Sequence, residues 1–160
     1  MSEQHQTLTI QQAIDLAVQH HTAGRLSQAE NIYQQILQNH PNQPIALNLL
    51  GEIARQMGKN DRAVDLITRA LAIQPDYAEA HINLANALKA LGKLNEAETS
   101  YRKALALKPN YAEAHYNLGL LSQELGKLEE AVTSYRKALA LNPGYAEAHN
   151  NLGNVLQNLV

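Results

Sequence analysis

The sequence predicts an all-α protein, an α–α superhelix built from antiparallel helix pairs. Three observations predict it. Pro41, Pro75, Pro109 and Pro143 recur every 34 residues, as do Gly24, Gly58, Gly92 and Gly126, and Ala29, Ala63, Ala97 and Ala131. Residues 78–111 and 112–145 are identical at 23 of 34 positions. Within each period, apolar residues recur at helical spacing, broken once by the glycine and ended by the proline. A fixed period of this kind marks stacked repeats, each too small to bury its own apolar face.

With the proline counted as position 32, the units begin at Ile10, Pro44, Ala78, Ala112 and Ala146. This gives an N-terminal tail over 1–9, repeats over 10–43, 44–77, 78–111 and 112–145, and an incomplete fifth unit over 146–160. The first helix of a unit carries its inner face at positions 4, 7, 8 and 11, as in His81, Leu84, Ala85 and Leu88. It stops at the position-15 glycine, which is suited to the left-handed conformation beyond a helix end. The second helix repeats the pattern at positions 20, 24 and 27, as in Ala97, Tyr101 and Ala104. Small residues at positions 8, 20 and 27 let two backbones approach closely. The proline then ends the helix. Thr9 with Gln12, Asp76 with Glu79 and Asn110 with Glu113 have capping-box spacing before helix starts.

Composition narrows the function. Thirteen Lys and Arg against fifteen Asp and Glu give a net charge of −2, which excludes the basic footprint of a nucleic-acid binder and favours no anionic membrane. Without cysteine there are no disulfides, thiolate nucleophiles or Cys-ligated metals. No apolar run approaches the ~20 residues of a spanning helix, and Met1 to Thr9 contains no apolar signal core. The chain reads as soluble; the cytoplasm is the expected compartment. No P-loop, GxGxxG, HExxH or GxSxG is present, so neither an enzyme nor a cofactor is expected. His81, His115 and His149 lie one repeat apart, too far to share a metal bound at about 2.0–2.1 Å, and are expected to pack in the core.

Leu118, Gly119, Gly126, Ala131, Tyr135, Ala138 and Pro143 together resemble the tetratricopeptide repeat (TPR) signature. The resemblance spans residues 10–160. It departs from the pattern at position 4, where the family's bulky aromatic is replaced by Ala13, Leu47, His81, His115 and His149. It implies a TPR solenoid whose first helices line a concave groove that holds an extended peptide or partner protein. The face opposite the core carries positions 2, 5, 6, 9, 12 and 13. Units 3 and 4 differ at eleven positions, seven of them at 5 and 8–13, so divergence concentrates on the first helix.

Asn83, Asn117 and Asn151 recur at position 6. An amide donates and accepts together, so such a ladder can grip a peptide backbone. It resembles the ladder in the TPR arrays of peptide O-linked N-acetylglucosamine transferases. The bland alternative is that each amide bonds a neighbouring helix or solvent. The expected groove residues are Asn83, Asn117, Asn151, Asn86, Tyr116, Lys89, Glu52 and Arg55. The clamp of chaperone-tail TPR domains is missing, because position 2 holds glutamate. The fifth unit stops at Val160 with Val155, Leu156, Leu159 and Val160 as apolar side chains. Two expectations follow: the chain is the N-terminal part of a larger protein, or it is a scaffold that self-assembles as a homodimer through this helix.

Overall fold

The computed structural model of the chain describes residues 7–160, so the greater part of the tail expected at 1–9 lies outside the described residues. Among the described residues there are nine α-helices and no strand. They are α1 (Ile10–Thr22), α2 (Leu26–Asn39), α3 (Pro44–Gln56), α4 (Asn60–Ile73), α5 (Ala78–Ala90), α6 (Leu94–Leu107), α7 (Ala112–Glu124), α8 (Leu128–Leu141) and α9 (Ala146–Asn158). Two compact units result. One ends at Pro75 and contains α1 to α4; the other, Asp76–Val160, contains α5 to α9.

The glycine turns set the pairing. Gly24, Gly58, Gly92 and Gly126 have φ between 72° and 76°, the region where a Cβ is penalised. Each turn closes as a Schellman motif. In the third repeat, the Gly92 N–H donates to the Lys89 carbonyl at 2.9 Å and the Lys93 N–H to the Leu88 carbonyl at 2.9 Å. The chain reverses there, so the next helix packs back on the one before it.

In the first unit, α1 packs on α2, α3 on α4, and α2 on α3. Ala17, Ala29 and Tyr33 fill the first pair, while Leu47, Ile53, Ala63 and Ile67 fill the second; all are fully buried. In the second unit, the pairs α5–α6 and α7–α8 stack through α6 on α7, and α8 covers α9. Their core repeats one theme: Ala97, Tyr101 and Ala104, then Ala131, Tyr135 and Ala138. A last cluster joins Ala131, Val132 and Tyr135 of α8 to Val155 of α9.

Helix starts differ from expectation. Thr9 and Gln12 form the expected capping box on α1, with Thr9 Oγ1 accepting from the Gln12 N–H at 3.2 Å and Gln12 Oε1 from the Thr9 N–H at 2.9 Å. The other two boxes do not form. α5 and α7 are capped by Tyr77 and Tyr111, both extended and with no side-chain cap bond. That places Asp76 and Asn110 one residue too early to reach the first turn. Two of the three position-4 histidines sit where the core reading put them; His149, on the last helix, does not. His81 and His115 are buried, and His115 Nε2 donates to the Pro109 carbonyl at 2.8 Å. His149 makes the same 2.8 Å bond to Pro143 but is exposed.

The glycine at position 8 sets the helix separation. A Cβ built on Gly119 would lie 2.6 Å from the ring of Tyr135, and one on Gly51 would lie 2.5 Å from Cγ1 of Ile67. Gly153 holds the same position in α9 and has nothing within 4 Å. Gly119→Ala is therefore expected to destabilise by about 1–3 kcal/mol, the usual cost of overpacking. Gly153→Ala should gain up to about 1 kcal/mol of helix propensity. Chemical denaturation of the two variants checks this: midpoints moving in the same direction would contradict the close approach at Gly119.

Candidate functional site

Positions along α5, α7 and α9 decide which side chains can meet a ligand in residues 76–160. Position 6 places Asn83, Asn117 and Asn151 on the first helices, each half-buried. The Asn151 Nδ2 donates to the Tyr116 hydroxyl at 3.1 Å, so one rung of the expected ladder is tied to the neighbouring first helix. The side-chain amide of Asn117 has no hydrogen-bond partner among the described residues.

Position 5 behaves differently from the expected groove position. Ile14, Asn48 and Ile82 are each less than 5% exposed. Tyr116 is half-buried, with its ring 4.7 Å from the ring of Tyr145 and 5.9 Å from that of Tyr135. Position 5 packs because a stacked first helix has neighbours on two sides. Tyr116 thus packs against the neighbouring repeat while its hydroxyl accepts from Asn151.

The remaining polar candidates are held within the protein. Asn86 accepts from the Tyr101 hydroxyl. One repeat later, the Tyr135 hydroxyl donates to Gln123 Oε1 at 2.8 Å. Burial, with the Tyr116 and Glu124 charges adding, pushes the Tyr135 phenol up to about 12, so it stays protonated as the donor. Lys89 Nζ lies 2.8 Å from the Glu124 carboxylate. In the other unit, Arg55 pairs with Glu52 through two hydrogen bonds of 2.9 and 2.7 Å.

Val155 is fully buried against α8, so it belongs to the core and leaves the expected self-association set. Leu156 and Leu159 are 39% and 40% exposed, and Val160 is fully exposed.

The family model described as TPR repeat matches residues 85–126 and 123–160, and the model described as tetratricopeptide repeat matches 54–100. The first TPR of Spaghetti (RPAP3), solved bound to the HSP90 peptide SRMEEVD, is 33% identical over 72% of this chain and 92% of its own, with a TM-score of 0.71. This chain belongs to the tetratricopeptide repeat family. The thermophilic TPR protein TTC0263 of Thermus thermophilus is 26% identical, with a TM-score of 0.80 over 93% of this chain and 82% of its own. MamA shares the fold at 24% identity and a TM-score of 0.81, over 95% of this chain and 85% of its own. No curated protein matches the sequence.

A second surface of the TPR chain carries no motif in the sequence. An open cleft of about 940 Å³ runs between α6 and α8, its apolar lining including Leu105, Leu118 and Leu141. Arg102 and Glu130 stand on its rim and are paired with each other at 2.8 Å. The repeat pattern gives no hint of this cleft, because its apolar lining combines residues of three helices. No helix among the described residues is long and apolar enough to cross a membrane.

Glu52 supplies a pH test. Burial pushes its carboxyl up, but hydrogen bonds from Arg55 and Gln56, with the Arg55 and His21 charges, outweigh burial and hold it below the ordinary 4.5. A carboxyl depressed in the folded state stabilises the fold above its unfolded pKa and loses that effect as pH falls through the folded value. Glu52→Gln is therefore expected to lower stability at pH 7 by about 1 kcal/mol or less, as befits a half-exposed pair. The difference from wild type should shrink once pH drops below 4.5. Denaturant midpoints at pH 7 and pH 3.5 check it; an undiminished gap at pH 3.5 contradicts the assignment.

Proposed function

We propose that this TPR chain is a non-catalytic protein-interaction module that holds a partner polypeptide in extended form on the first-helix face of residues 76–160. One observation carries the reading: the Asn117 amide stands half-exposed without a partner, flanked one repeat away on each side by Asn83 and Asn151. An unbonded amide can offer a donor and an acceptor to one peptide group of an extended strand. The similar RPAP3 domain was solved with a peptide bound, which supports polypeptide as the ligand class.

The peptide class differs from that one. The RPAP3 ligand ends in EEVD, whereas position 2 here carries Glu79, Glu113 and Glu147, and Lys89 is engaged by Glu124. An acidic tail would meet like charge. The reading calls for no cofactor, metal, nucleic acid or membrane and keeps the cytoplasm as compartment.

Peptide-array screening of the full chain supplies a binding sequence, and isothermal titration then measures it. Asn117→Ala is expected to weaken binding by about 0.5–1.5 kcal/mol, the net worth of a hydrogen bond, with little change in denaturation midpoint. Adding Asn83→Ala should weaken it further. Unchanged affinity in the double variant would sink the ladder.

The exposed Leu156, Leu159 and Val160 favour a second reading, self-association through α9. Light scattering of the chain beside Leu156→Lys with Leu159→Lys separates the two. A dimer lost in the variant supports this reading; a monomer in both removes it.

A further inference from the structure

Two successive repeats carry the same pair of groups at positions 2 and 34, and only one pair is occupied. In the third repeat these are Glu79 and Tyr111, and the chain supplies its own cation to them. Lys108 Nζ lies 4.5 Å from the centroid of the Tyr111 ring and 3.1 Å from Glu79 Oε1. An ammonium on an aromatic face and against a carboxylate gains from both the ring quadrupole and the charge. In the fourth repeat the equivalent groups are Glu113 and Tyr145, but Asn142 stands where Lys108 would be. Asn is shorter and uncharged, so it cannot make either contact.

The site is otherwise in place. Tyr145 is half-buried, and its ring meets that of Tyr116, which fixes its orientation. No cation lies over the Tyr145 ring, and no ion pair engages Glu113, among the described residues. Glu147, at position 2 of the next repeat, is exposed and adds a second carboxylate. Burial first, then the charges of Glu113, Tyr116 and Glu147, raise the Tyr145 phenol. Glu113 also benefits from the N-terminus of α7, yet Glu79 does the same at α5 while holding Lys108, so the helix end does not use up the carboxylate.

We propose that Tyr145, Glu113 and Glu147 form a subsite for one lysine or arginine side chain of the bound polypeptide, in the manner in which Tyr111 and Glu79 hold Lys108. The inference rests on the peptide-binding reading and deepens it. Asn117 and Asn151 lie four residues beyond Glu113 and Glu147, one turn along the same helices. A strand bonded to the Asn117 amide can therefore place one side chain at the subsite. The occupant is cationic because ring face and carboxylates both favour positive charge.

The test is a nuclear magnetic resonance titration of the full chain with two peptides, acetyl-Ser-Asn-Ser-Lys-Ser-Asn-Ser-amide and its norleucine counterpart. The lysine peptide is expected to shift the signals of Glu113 and Tyr145 and to bind roughly three- to tenfold tighter than the norleucine peptide. Asn142→Lys, which lets the chain fill the subsite itself, should abolish that advantage, and Glu113→Gln should reduce it. Equal affinity for the two peptides, a lysine preference that survives Asn142→Lys, or silence of Glu113 and Tyr145 toward the lysine peptide overturns the subsite. Failure of the underlying reading shows separately, as silence of the Asn117 side-chain amide toward both peptides.

Discussion

Two of the helix pairs, α3–α4 and α7–α8, close around a contact with no room for another atom, and much of the architecture is arranged to permit it. A first helix presents glycine or alanine at position 8, and the facing second helix presents alanine at 20 with a large residue at 24. Gly119 against Tyr135 and Gly51 against Ile67 are the tightest cases, where the missing Cβ is replaced by ring or side-chain carbon of the neighbour. Helix axes usually stand about 8–10 Å apart, and small residues are what bring them to the near end. The left-handed glycine at position 15 then matters because it delivers the second helix to that contact in the correct orientation. A slack turn would leave Tyr135 without its seat.

The same contact decides which polar groups remain for binding. A buried tyrosine hydroxyl usually finds a partner, and in residues 76–160 amides on the first helix supply it. Tyr101 takes Asn86, and Tyr135 takes Gln123, three residues further along its own helix. Core packing thus removes amides from the ligand face at positions 9 and 12, and at position 6 it ties Asn151 but leaves Asn117 unbonded among the described residues. The amide-rich face is therefore narrower than a count of its asparagines and glutamines implies.

The period, the glycine turns, the small-residue seams and the buried histidines were legible in the sequence because each depends on one residue type at one spacing. What was not legible depends on a neighbour. A helical wheel assigns Tyr116 and Ile82 to the face opposite the pair partner, and it does so correctly for a lone pair. In a stack, that face borders the next repeat as well, so Tyr116 packs on Tyr145 and ties Asn151 down. Val155 reads as loose for the converse reason: the missing second helix of the fifth unit draws attention, while the α8 surface beneath Val155 is already complete. The boxes expected at α5 and α7 failed over a shift of one residue, which spacing rules cannot resolve when tyrosine, a poor cap, occupies the cap itself.

These cases share a physical basis. In a repeat protein the residue type at a position does not fix its role, because identical side chains meet different neighbours. Asn151 and Asn117 occupy equivalent positions, but only Asn151 faces a tyrosine hydroxyl, since the preceding repeat has Tyr116 where the repeat before it has Ile82. Glu79 and Glu113 are equivalent too, but only Glu79 has a lysine within reach. One substitution in a neighbouring repeat therefore changes a group from structural to available without altering the group itself. Divergence between two nearly identical repeats, at 11 of 34 positions here, thus adds an internal partner at Asn151 through Tyr116 and removes one at Glu113 through Asn142.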